Sequence, residues 1–227
     1  MNLVVEDAVR EKFKISVGIA EIRGVRQSQK ESSEISREIR EVEEEIKSKY
    51  RIDEVKDIKT IRLQRDFFWR MGVDPTKVRP ASEALLRRIL LNKGLPRVSP
   101  IVDAYNLASV KTLLTFSAFD FARIEPPMRV RFSREGEEAI LIGNRRKELT
   151  GKEIVLTDSA KILCVYVHGD VEETKVTDST RDVLLVAYGI PGMSKEEIEE
   201  GVIVASNYVK RFAGGEVVIE ESGINLN

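Results

Sequence analysis

The 227-residue sequence contains one cysteine, Cys164, and one histidine, His168. A lone cysteine forbids an intrachain disulfide, which excludes a secreted disulfide scaffold and fits a reducing, cytoplasmic setting. The two counts together exclude a cysteine-rich zinc site and a histidine metal cluster, so neither metal nor cofactor is expected. No apolar run approaches the roughly 20 residues of a membrane helix, so no membrane partner is expected. The opening MNLVVEDAVREKFK alternates charged and apolar residues and does not read as a signal peptide. Neither sign of charge prevails, with Lys plus Arg at 37 and Asp plus Glu at 38. A globally basic nucleic-acid protein is thereby excluded, although a local basic face is not. Gly-x-Ser-x-Gly, phosphate-loop and dinucleotide fingerprints are all missing.

What is abundant is balanced charge, 33% of the residues. With few Gln and Met, this is the composition of proteins that work hot, where ion-pair networks gain value. The length is ample for a hydrophobic core without staples.

Periodicity divides the chain. VEDAVREKF reads as a short helix and KISVGIAEIRGV as a strand. The stretch 28–50 places Ile35, Ile39, Val42 and Ile46 in one apolar stripe on a charged helix, fit to dock on its own domain or on a partner helix. Helices follow near Ile58–Met71, over RPASEALLRRILLNKG, and from Ser99-Pro100 through VDAYNLASVKTLL, with Ser99 as N-cap. From Met128 the period becomes two. MRVRFS and EAILIG suggest a hairpin around Arg134–Gly136, and EIVLT, KILCVYVHG and DVLLVAYGI follow as strands. Ser194 and Glu197 form a capping box for a helix reaching about Phe212, before a last strand, GGEVVIEE. The expected class is α+β, a helix-rich N-terminal half packed on a mixed, largely antiparallel sheet. One compact unit is expected, with residues 1–60 as an extension and 61–227 as the core.

Several residues stand out chemically. Cys164 lies mid-strand and reads as a buried, inert thiol. His168 ends the apolar strand VYVHGD beside Gly169 and Asp170. A backbone approaches a ligand readily there, and a histidine so placed serves as base or donor, or simply as a surface residue capped by Asp170. Asp103 and Asn106 share a helix face; an Asn there either ties down buried backbone or reads a ligand. Residues 77–97 hold six basic side chains against Glu83 alone, and 129–147 hold six against three acids. Either segment is a polyanion-binding face or a solvated, ion-paired one.

The segment SPIVDAYNLASVKTLLTFSAFD resembles the aminoacyl-tRNA editing domain of the phenylalanyl-tRNA synthetase beta subunit. That family's Val-Val-Asp-x-Thr-Asn corresponds to Ile101–Asn106, and its His-Ala-Phe-Asp to Ser117–Asp120. Free-standing versions share a longer signature, read here as Gly72, Asp74–Lys77, Arg79-Pro80, Glu83–Leu85 and Arg87-Arg88. The resemblance runs from about Arg65 to Tyr188. It implies the editing-domain fold and hydrolysis of the ester of a mischarged tRNA, with the tRNA as partner. On it, Asn106 matches a pocket asparagine and Gly169 a glycine of close approach. Ser117 stands where the family has histidine, Tyr105 where it has threonine, and Leu185 where it has a glutamate that reads a tyrosine hydroxyl. The last difference argues against tyrosine as the amino acid. Asn106, Ser117, Asp120 and His168 are therefore the catalytic candidates. Tyr105, Gly169, Asp170 and Leu185 are the substrate-binding ones, and Arg79, Arg87, Arg88 and Lys93 the RNA-binding ones. The function implied is a trans-acting editing hydrolase. The alternatives are a non-catalytic tRNA or amino-acid binding module on the same fold, and a metabolic enzyme on a borrowed one.

Overall fold

The computed structural model describes residues 3–26 and 33–222. The strands are β1 Leu3–Val5, β2 Ser16–Arg23, β3 Thr115–Asp120, β4 Met128–Phe132, β5 Glu135–Leu141, β6 Arg145–Thr150, β7 Ile154–Thr157, β8 Ile162–Val165, β9 Gly169–Asp170, β10 Asp182–Gly189 and β11 Glu216–Ser222. The helices are α1 Asp7–Phe13, α2 Ser33–Lys49, α3 Lys59–Arg70, α4 Ala81–Leu90, α5 Pro100–Thr112 and α6 Lys195–Ala213. This is the expected α+β class.

The caps read from the sequence are in place. Ser99 accepts from the Val102 amide with Pro100 in the first turn of α5, and Ser194 and Glu197 close both bonds of the capping box of α6. The stripe Ile35, Ile39, Val42 and Ile46 is buried in the chain's own core, so α2 spends its apolar face at home. The expected beginning of that helix, before Ser33, lies outside the described residues.

Three layers result. The middle layer is the antiparallel sheet β11-β2-β10-β3. Because side chains alternate across a strand, β10 gives Val183, Leu185 and Ala187 to the core shared with α2, α4, α5 and α6. It gives Leu184, Val186 and Tyr188 to a second core. The second core is closed by α1, by α3 and by the sheet β1-β4-β7-β8-β9. Only the β1–β4 pair in that sheet is parallel. The inner position of β2, between β11 and β10, builds residues 16–23 into the centre of the molecule.

One expected pairing is corrected. MRVRFS and EAILIG do not form a hairpin: β4 pairs with β1 and β7, while β5 pairs with β6. The turn that joins β5 to β6 includes Gly143 and Asn144, both at positive φ (85° and 56°). Glycine and asparagine adopt that conformation at least cost. The bend at Arg134–Gly136, held by the Arg131–Glu137 ion pair, instead leads into the β5–β6 ribbon, whose Ala139, Leu141 and Leu149 pack on Val155, Ile162 and Val165 of the sheet. The strand read as KILCVYVHG also stops early, at Val165, and turns through Tyr166–His168 into β9.

Candidate functional site

A cavity of about 280 Å³ opens where α3, the edge strand β3 and the β8–β9 turn meet. Helix α3 contributes Gln64, Phe67 and Phe68; Arg79, just before α4, and Ala81, its first residue, also line the cavity. The rest of the lining includes Cys164, Tyr166, Tyr188 and Ile190, with Ser117, His168, Gly169 and Asp170. Most of this lining is aromatic or aliphatic, with a few convergent polar groups, the usual make-up of a small-ligand site.

The local backbone is shaped for this role. The His168 amide donates to the Val165 carbonyl at 2.9 Å, closing a tight turn. Within it Val167 has φ 61° and Gly169 has φ 124°. A β-branched residue in the left-handed region is strained by about 1–3 kcal/mol, a cost that clusters at functional sites. The turn brings Asp170 against β3, where Ser117 Oγ donates to Asp170 Oδ1 at 2.7 Å.

Electrostatically this lining is unusual. Burial pushes the Asp170 carboxyl up to about 6, despite the Ser117 hydrogen bond, which acts the other way. Burial pushes the Cys164 thiol up as well, so that cysteine is inert, as its position in the sequence implied. His168 is lowered by burial first and by the nearby Lys147 charge second, which favours a neutral imidazole. Tyr166 and Tyr188 meet edge to face, ring centroids 5.0 Å apart. Their hydroxyls are buried with no hydrogen-bond partner. The Cys164 thiol beside Tyr188 is a weak donor and acceptor at best. Orphaned hydroxyls on a cavity wall are a cost that a ligand or water relieves.

The candidates read from the sequence separate. Ser117, His168, Gly169, Asp170 and Arg79 meet at the cavity. Asn106 is buried on α5 and outside the lining; its side chain makes no hydrogen bond to the described residues, so it does not tie down backbone. Tyr105 is half-buried near Asp170, whose charge adds to burial in raising the Tyr105 phenol. Asp103 is the structural member of its helix face, accepting from Arg97 Nε and the Val98 amide. Asp120 is a local fastener, accepting from the Ala122 amide and Thr180 Oγ1 at 3.2 and 2.9 Å. Leu185 is fully buried in the helix-side core, paired with Ala118 and Ala20, away from the cavity. The case against tyrosine rested on Leu185, which lies away from the cavity; the tyrosines of the lining, Tyr166 and Tyr188, have buried hydroxyls.

On the basic helix face Arg87 is taken up by an ion pair, while Arg79, Arg88 and Lys93 are exposed. Glu83, with no exposure, takes Arg65 Nη1 at 3.0 Å and Arg87 Nε at 2.7 Å. Arg88 bonds the Gly94 and Lys93 carbonyls just past α4. Lys93 is exposed beyond the helix. Sequence reasoning missed Tyr166, Tyr188, Phe67 and Phe68, because an aromatic in an apolar strand or helix carries the same pattern whether it faces core or cavity. Among the described residues no group of His, Cys, Asp or Glu is placed to hold a metal ion. No helix there is long and apolar enough to cross a membrane.

The fold and site define an α+β domain with a cavity at a sheet edge, lined by aromatic side chains and a hydrogen-bonded serine–aspartate pair. More particularly, the chain belongs to the B3/4 domain family, whose model matches residues 63–215. It is similar to phenylalanine–tRNA ligase beta subunits. The Vibrio parahaemolyticus protein is 34% identical over 92 residues, 40% of this chain and 12% of that protein. The Chromobacterium violaceum protein is 33% identical over 102 residues, 45% of this chain and 13% of that protein. In fold it is similar to the N-terminal fragment of the Pyrococcus horikoshii phenylalanyl-tRNA synthetase beta subunit. The TM-score is 0.52 at 14% identity, over 95% of this chain and 50% of that one. The alignments thus take in about an eighth of the length of these two bacterial relatives.

Proposed function

We propose that the cavity receives the aminoacyl end of a mischarged tRNA and hydrolyses its ester, acting in trans on tRNA charged by another enzyme. The observation that carries this reading is the Ser117–Asp170 pair: a carboxyl at about 6 in the lining of an aromatic cavity in a B3/4 domain. A base is most effective when its pKa lies near the working pH. Ser117 donates to Oδ1 of Asp170 and the Cys164 thiol also bonds this carboxyl; in this reading a water enters from the cavity to meet it. In the reaction Asp170 takes a proton from that water, and the water oxygen bonds to the ester carbonyl carbon. The carbonyl–oxygen bond to the ribose then breaks, and the ribose oxygen takes a proton. An aminoacyl ester is already activated, so an oriented water suffices without a covalent nucleophile. The neutral His168 is the side-chain donor at hand for the developing oxyanion.

The aromatic walls fit the apolar body of an amino-acid side chain. A non-catalytic tRNA-binding module is the second reading, favoured by Ser117 standing where the family has histidine. A deacylation screen over mischarged tRNAs separates the two. The proposal expects release of at least one amino acid at a rate proportional to enzyme. Saturable tRNA binding with no release for any amino acid would establish the second reading instead.

A further inference from the structure

Glu83 is a carboxylate with no exposure, and three arginines converge on it. Arg65 holds both its oxygens, at 3.0 and 3.1 Å, and Arg87 holds one at 2.7 Å. Arg79 stands off, its Nε 4.0 Å from Oε1 and its side chain 46% exposed. One negative charge is therefore shared among three positive ones, and the guanidinium with the weakest hold is the one at the cavity. Arg79 is the one lysine or arginine among the cavity-lining residues. Helix α4, ten residues long, begins beside it. Its first residue, Ala81, also lines the cavity, and its N-terminus has no side-chain cap. The free amides and the positive end of the helix dipole add to the attraction for an anion. The same cavity holds the buried, unpartnered hydroxyls of Tyr166 and Tyr188, an independent sign that a ligand completes it.

We propose that Arg79, with the α4 N-terminus, is a phosphate subsite for the terminal nucleotide of the substrate. This rests on the reading of the cavity as an aminoacyl-ester site. In such an ester the amino acid's carboxylate is consumed, so the formal negative charges left are the nucleotide phosphates. A guanidinium at the rim fits a phosphate through two parallel hydrogen bonds. Glu83 is a positioning residue: its ion pairs with Arg65 and Arg87 fix the first turn of α4 and limit where Arg79 reaches.

The test compares two hydrolysis-resistant probes, 3′-phenylalanylamino-3′-deoxyadenosine and its 5′-monophosphate, by titration calorimetry on the whole chain. The phosphate is expected to tighten binding by roughly tenfold or more. In Arg79→Gln that advantage should vanish while the nucleoside binds as before. Glu83 keeps its two closer partners, so this variant is expected to fold, and an unchanged melting curve checks that it does. Equal affinity of the two probes for the unaltered protein, or an advantage that survives Arg79→Gln, overturns the phosphate subsite and leaves the ester reading standing. Binding of neither probe rejects the ester reading. The subsite is then judged by NMR of the Arg79 Nε during titration with inorganic phosphate. A saturable shift upholds an anion site; no shift overturns it.

Discussion

At the scale of single residues, the chemistry concentrates in Asp170. Its carboxyl lies at about 6 in the folded protein against 3.8 as the ordinary value. The folded state thus holds this proton more tightly than the unfolded one. The resulting contribution to stability is full below about 3.8 and lost as pH rises through about 6. Asp170→Asn keeps an acceptor for Ser117 but does not titrate. It should therefore stabilise the protein at pH 8 by an amount on the order of 2–3 kcal/mol, a margin that shrinks to nothing by pH 4. Denaturant titrations at the two pH values check this, and a lower midpoint for the variant at pH 8 would count against the buried-acid assignment. Asn106 gives a contrasting expectation. A structural amide removed from its partner would cost about 1–3 kcal/mol. The Asn106 side chain makes no hydrogen bond to the described residues, so Asn106→Ala should cost less than about 1 kcal/mol in the same measurement. Gly169 and Asp170 were legible in the sequence because they close an apolar strand beside His168, whereas Ser117 was reached through the resemblance to the editing domain. Tyr166 and Tyr188 were not, since their rings satisfy the strand pattern and only the orphaned hydroxyls betray them.

Among the elements, helices were read more securely than strand partners. A cap such as Ser99 or Ser194 and a stripe such as Ile35–Ile46 act within one segment, so they survive in the linear sequence. Strand pairing depends on distant chain: β4 looks like the natural partner of β5, yet finds β1 and β7. The Gly143-Asn144 turn was the local signal for the true β5–β6 ribbon. Packing of α6 on the middle sheet rests on a small residue that periodicity does not explain. A Cβ on Gly18 of β2 would come within 2.6 Å of Val202 and 2.8 Å of Ile198 on α6. Gly18→Ala should therefore push helix from sheet and cost about 1–3 kcal/mol. Thermal melts would show this as a lowered midpoint, and an unchanged one would mean that α6 shifts freely on the sheet.

Over the whole molecule, the expected RNA face divides: Arg79, Arg88 and Lys93 are exposed, and Arg87 is ion-paired. Arg87 belongs to the Glu83 ion-pair cluster, so Arg87→Ala should lower stability, by about 2–3 kcal/mol, more than it lowers tRNA affinity. Arg145 is exposed and close to Gly169, its Nη2 4.0 Å from where a Cβ on that glycine would lie. If tRNA enters past this residue, Arg145→Glu should weaken binding of all tRNAs alike and reduce the salt slope by about one. An unaltered slope in a salt titration would place the RNA elsewhere. The α+β class and most helices could be read from the chain, as could the residues of one wall of the cavity. The cavity itself could not, because it exists only where α3, β3 and the β8–β9 turn, far apart in sequence, come together. The most direct test of a hydrolase built on Asp170 is single-turnover release of amino acid from mischarged tRNA between pH 5 and 8, for the unaltered protein, Asp170→Asn and His168→Ala. The expected result is a rate that rises through about pH 6 and then levels. His168→Ala should keep that profile, and Asp170→Asn should be slower by about 10²-fold or more with the pH dependence gone. Full activity in Asp170→Asn, or a profile abolished by His168→Ala instead, would contradict it.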